Sequence, residues 1–219
     1  MFFDRYRLLK VSLIVVLLAA LVPPTLSAKE SDGAVAGALE PEERTRLVEL
    51  LEDTWSQIET MTDGLDDAAW NFRASEDRWS IGQVVEHLMR AEENFYDLAQ
   101  RALESPYDPE WESKFEKQVE WIAAVIPDRS KKAESPPTLR PDSAMSRDEV
   151  LANFEELRQR SLEFALTTEG PVKSHPLILE KSTFEPMSAY HWLIFMGYHN
   201  VRHLEQMAEI KAHADFPGK

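Results

Sequence analysis

Near the C-terminus, His199 and His203 stand four residues apart in a run from His191 to Met207 that reads as one helix. Trp192, Met196, His199, His203, Met207 and Ile210 recur every three or four residues, the spacing of one helix face. The two imidazoles therefore lie one turn apart inside an apolar stripe, while Arg202, Glu205 and Glu209 point away. Side chains so placed can converge on one metal ion. A His-x-x-x-His pair is also compatible with core histidines bonded to carbonyls. A third histidine, His87, bears on that choice. It lies on an earlier helix, beside an apolar stripe formed by Ile81, Val84, Leu88, Ala91, Phe95 and Leu98. The reading places His87 at the edge of that buried face, where it can look into a cleft between helices. Three histidines leave coordination positions open on a divalent ion, as in catalytic rather than structural sites. A zinc protease of the His-Glu-x-x-His type is excluded, because Asn200 follows the first histidine of the pair.

The chain has no cysteine, so any metal must sit on His, Asp or Glu, and no thiolate nucleophile is available. Glu86, Glu92, Glu93 and Tyr198 fall near the histidines, but glutamates on helices are expected to be solvated surface. No acid, base or nucleophile outside the histidines stands out.

Four long helices are expected to position these residues. The first begins at Pro41, carries Leu47, Leu51, Trp55 and Ile58 on one face, and ends at Asp63-Gly64. Ala69 to Ser80 reads as a polar connection holding Trp70 and Trp79. The second helix opens at Ser80, which forms a capping box with Gln83, while Trp79 staples onto Val84. Trp111, Phe115, Val119, Ile122 and Ile126 mark a short amphipathic helix. Lys131 to Asp142 contains three prolines and is expected to be extended. The third long helix starts at Ser146, boxed with Glu149, with Met145 stapled to Val150. Val150, Phe154, Leu157, Ser161 and Phe164 form its inner face, and Gly170-Pro171 stops it. Pro186 or Ser188 leads into the last helix. This pattern implies an all-α four-helix bundle with a long connection between the second and third main helices.

Residues 1–28 read as a secretory signal peptide. Arg5, Arg7 and Lys10 precede an apolar run of 12 residues, Val11 to Val22, and Leu26-Ser27-Ala28 offers a cleavage site. A membrane-spanning helix needs ~20 apolar residues. Residues 29–40 read as a flexible linker and 41–213 as the bundle. The leader holds three Lys/Arg and one Asp, so its removal takes the net charge from −15 to −17. So acidic a chain is repelled by nucleic acid and by anionic lipid. The expected setting is periplasmic or extracellular, with no nucleic-acid partner and no membrane contact after cleavage. A small-molecule substrate and a homodimer are both compatible with this reading.

From roughly 45 to 210 the sequence resembles the DinB-like metalloenzymes. The resemblance rests on Trp70-Asn71-Phe72-Arg73, on Trp79-Ser80-Ile81-Gly82-Gln83 leading to His87-Leu88, and on the Pro137 to Pro141 connection. It continues in His175-Pro176 and in His199-x-x-x-His203-Leu204-x-Gln206. It implies a four-helix bundle whose triad His87, His199 and His203 binds a divalent metal, usually zinc or nickel. It also implies a place behind the ligands for Gln206. His175, His191 and His213 receive no role. Related groups resemble thiol-dependent transferases, and export weakens that implication because a cytosolic thiol is harder to supply. A metal-dependent transferase or hydrolase is the leading expectation. The alternatives are a non-catalytic metal- or small-ligand-binding bundle and a bundle whose histidines are core residues.

Overall fold

A computed structural model describes residues 35–130, 134–180 and 184–217. The expected leader, and residues 29–34 of the expected linker, lie outside them. Each long helix begins where its capping chemistry dictates. Helix α1 spans Pro41–Thr62, with proline in its first turn and the Glu40 N–H donating to Glu43 Oε2 at 2.7 Å. Asp63 caps its C-terminus, and Gly64 takes the left-handed conformation, φ +67°. Helix α3, Ile81–Leu103, opens on the reciprocal Ser80–Gln83 box. Helix α5, Arg147–Thr167, opens on the Ser146–Glu149 box. Helix α6, Ala189–Ala212, starts after Ser188. The amphipathic segment is helix α4, Phe115–Val125, entered through a 3-10 turn at Trp111–Lys114.

Two expectations are corrected. The connection around Trp70 is not irregular: Asp66 accepts from the Ala69 N–H at 2.8 Å and starts a short helix α2, Asp67–Asn71. Helix α2 seats Trp70 on Gly82, where an added Cβ would lie 2.3 Å from the indole nitrogen. The proline-rich segment is not wholly extended, since Pro137–Leu139 form a 3-10 turn.

The described chain contains six α-helices and, among the described residues, no strand; Leu177 and Met187 make a single isolated bridge. Helix α6 packs most extensively on α3, then on α1, and both of those pack on α5. Helices α6, α3, α5 and α1 thus form a four-cornered bundle with α5 diagonal to α6. Helix α4, within the long α3–α5 connection, covers another flank of α6. Gly197 lets α1 come close, since a Cβ there would fall 2.5 Å from Leu50.

Two apolar clusters fill the interior. One gathers Phe95, Leu98, Phe115, Ile122, Trp192 and Phe195. The other gathers Trp55, Ile58, Leu88, Phe154, Leu204 and Met207. On α3 the boundary between them falls between Met89 and Ala91, and on α6 between Met196 and Leu204. On α6, His199 and His203 fall within that boundary, and His87 lies just before it on α3.

Periodicity alone missed one core feature. Arg158 is fully buried, and it grips Glu92 through two hydrogen bonds of 2.9 and 2.8 Å. Its guanidinium also reaches the Leu51 carbonyl and Thr54 Oγ1, tying α5 to α3 and α1. Leu157 and Phe164, expected on the inner face of α5, are only half-buried; Leu162 and Arg158 take that face.

Candidate metal centre

Helix α3 presents His87, and one face of α6 presents His199 and His203. Their Nε2 atoms meet. His199 Nε2 lies 3.3 Å from His87 Nε2 and 3.2 Å from His203 Nε2. Two imidazole nitrogens bound to one tetrahedral zinc ion at ~2.0–2.1 Å stand roughly 3.3 Å apart, so the spacing fits such an ion.

The protons are turned outward. His87 Nδ1–H donates to the Leu139 carbonyl at 2.8 Å, and His203 Nδ1–H donates to Gln206 Oε1 at 2.9 Å. Each of those rings therefore aims an Nε2 lone pair at His199. One N–H on His199 Nε2 could satisfy only one of them. In that tautomer His199 Nδ1, which is buried without a hydrogen-bond partner among the described residues, would be left as a bare acceptor. Three neutral imidazoles cannot satisfy one another here, whereas a divalent cation accepts all three lone pairs.

Electrostatics favour the neutral rings that metal binding requires. Burial lowers the His87 pKa below its ordinary 6.5. Burial, reinforced by the nearby His87, lowers His203 to about 3. His199 is held well below 6.5, first by burial and then by His203 and His87. The walls are aromatic. Trp79 lies 4.9 Å from the His87 ring and 6.5 Å from His203, while Phe95 and Phe195 lie 5.3 and 6.3 Å from His199.

His87, expected at the edge of the buried face, is only 3% exposed. The wheel of α3 places it at the edge of that helix's buried face. The returning segment that carries Leu139 then covers it. His199 is the most open of the three. Trp79, expected to be a staple, is half-buried and spends part of its face on His87.

Gln206 Oε1 accepts from the outer nitrogen of His203. His191 is fully buried and structural: its Nδ1 accepts from the Ser188 N–H at 3.3 Å and from Ser188 Oγ at 2.8 Å, and its Nε2–H donates to the Phe115 carbonyl at 3.1 Å. His175 Nδ1 meets the Ser105 carbonyl at 2.6 Å, and His213 caps the end of α6. Neither joins the triad.

Two of the glutamates expected at the surface are buried. Glu92 is the partner of Arg158. Glu86 accepts from the Asp142 N–H and the Ser143 N–H, both at 3.0 Å, and pairs with Arg90 at 2.8 Å. The sequence signal for Glu86 was its place beside His87; the two backbone N–H groups that bond it lie more than fifty residues away. Glu93 is exposed and Tyr198 half-buried.

The model of the DinB superfamily matches residues 50–207. Among curated proteins, "Uncharacterized protein YuaE" of Bacillus subtilis (strain 168) is 26% identical over 172 residues, covering 73% of this chain and 91% of that one. Among solved structures, YfiT from Bacillus subtilis superposes with a TM-score of 0.53 at 18% identity, covering 80% of this chain and 89% of that one. YfiT is described as a probable metal-dependent hydrolase with an unusual four-helix bundle topology. At that identity the likeness establishes the shared bundle fold.

Proposed function

The chain belongs to the DinB superfamily, and on that premise we propose that it is an exported metal-dependent hydrolase acting on a small-molecule substrate. The observation that carries the reading is the convergence of three Nε2 atoms whose opposite nitrogens are tied off or buried. His87, His199 and His203 would hold one divalent ion, zinc or nickel. When bound, such an ion supplies Lewis-acid chemistry, the basis of hydrolysis or group transfer. Around it the chain's own groups orient and exclude. Leu139 and Gln206 fix the ligand rings, and Trp79, Phe95 and Phe195 keep the walls apolar. His199, the least buried of the three, marks the side from which a substrate would approach.

Hydrolysis is favoured over thiol transfer by the leader-like sequence of residues 1–28, since a cytosolic thiol is harder to supply to an exported protein whereas water is present everywhere. The description of YfiT as a probable metal-dependent hydrolase supports the same class. The test is metal analysis of the mature protein, purified without chelator or affinity histidines, followed by parallel screens with ester, amide and thiol-transfer substrates. One ion per chain and turnover in water alone are expected. Less than about a tenth of an equivalent after dialysis against zinc or nickel would end the metal reading. Turnover only with an added thiol would replace hydrolase by transferase.

A further inference from the structure

Glu86 lies next to His87 in the chain but faces another way, into the segment that returns over α3. It is 2% exposed, and a buried carboxylate is costly unless its oxygens are occupied. Here they are. Oε1 accepts from the Asp142 N–H and from Arg90, and Oε2 accepts from the Ser143 N–H. Arg90 also pairs with Asp142 at 2.9 Å, so the same segment is tied to α3 twice. Ser143 sits in the left-handed region, φ 58°, and is the one non-glycine residue to do so among the described residues. A conformation that L side chains avoid persists when its surroundings hold it, and Glu86 holds the Ser143 N–H.

The segment is stiff between that anchor and the metal ligand. Pro136, Pro137 and Pro141 limit its backbone, and the 3-10 turn is closed by the Leu139 N–H donating to Pro136 at 3.0 Å. Pinning residues 142 and 143 therefore sets where the Leu139 carbonyl lies. That carbonyl takes the Nδ1–H of His87.

We propose that Glu86 is the positioning residue of the triad: it latches residues 137–143 onto α3, and the Leu139 carbonyl then holds His87 with Nε2 toward His199 and His203. The inference rests on the metal reading for its consequence, but the latch acts on the ring whether or not an ion is bound. Glu86→Gln keeps the shape and one acceptor oxygen, and turns an NH₂ group against one of the two backbone N–H groups. Ser143→Pro releases the latch from its other end, at an exposed loop position, by removing the N–H and forbidding the positive φ.

The experiment uses the full mature chain. Histidine-ring nitrogen NMR on the metal-free protein reports the Nδ1–H form of His87, assigned through His87→Gln. Chelator competition with zinc reports affinity. Both variants are expected to lose or average the His87 Nδ1–H signal and to weaken zinc binding by about 10-fold or more, as partners behind metal ligands do. Glu93→Gln, an exposed change on the same helix, is expected to alter neither. A His87 signal and a zinc affinity unchanged in both variants, with thermal stability alone reduced, would overturn the proposal and make Glu86 a fastener of the loop only. A wild-type chain that takes up no zinc would end the metal reading, and the His87 signal would still decide the latch.

Discussion

His191 and His203 lie on the same helix, and both are buried, at 0% and 8% exposure. They do opposite things with their nitrogens. His191 spends both: Ser188 donates to Nδ1, and Nε2–H donates to the Phe115 carbonyl. His203 spends one, on Gln206, and turns the other toward two more imidazoles. Burial and helical register are therefore poor markers of a functional histidine. The informative feature is a lone pair that the protein itself leaves unused.

The widest separation between the two regions is expected in metal uptake. Replacing His87, His199 or His203 by Ala should weaken zinc or nickel binding by more than about 100-fold, beyond the loss caused by changing a partner behind a ligand. His191→Ala should keep one equivalent. Metal lost in His191→Ala, at a temperature where that variant is folded, would break the comparison.

Stability should separate them in the reverse sense. His191→Ala removes a buried ring with both nitrogens bonded, and a loss of ~3 kcal/mol is expected in denaturant titration. His199→Ala in the metal-free protein removes a more open ring whose Nδ1 has no partner, and ~1 kcal/mol is expected.

Acidification sharpens the same contrast. Burial lowers the His191 pKa in the folded chain to about 4, against an ordinary value of 6.5. Between those values the unfolded chain binds the extra proton. The stability owed to neutral His191 is therefore complete above pH 6.5 and drains away as the pH falls to about 4, by ~3 kcal/mol in all. His191→Gln should flatten that part of the stability–pH curve. Metal release, expected from the unperturbed imidazole to begin near pH ~6.5, should instead begin lower, because the rings are already held neutral by burial. Half-release at or above pH 6.5 in a chelator-free titration would contradict this.

The smaller effects fall on the supports. Gln206→Ala leaves the outer nitrogen of His203 without its acceptor and should weaken zinc binding about 10-fold, with Gln206→Glu retaining most of it. Trp79→Ala should cost about 1–2 kcal/mol rather than the ~3 kcal/mol of a fully buried ring, because Trp79 is half-buried against His87. An unchanged metal affinity in Gln206→Ala would mean that the packing of α6 alone orients His203.

What could be read from the chain was what is local in it. The Ser80–Gln83 and Ser146–Glu149 boxes act within three residues, so the starts of α3 and α5 were legible. The stripe of α6 and the i, i+4 register of His199 and His203 follow from helix geometry alone. Tertiary structure decided what each face meets. The Leu139 carbonyl that ties off His87 comes from 52 residues downstream, and Arg158 meets Glu92 across 66. Phe115, which makes His191 structural, stands 76 residues before it. Periodicity states which way a side chain points, and carries no record of the distant segment that packs over it. For that reason Glu86 and Glu92 read as solvated surface, and His87 as an edge residue, until the proline-rich return and α5 were laid against α3.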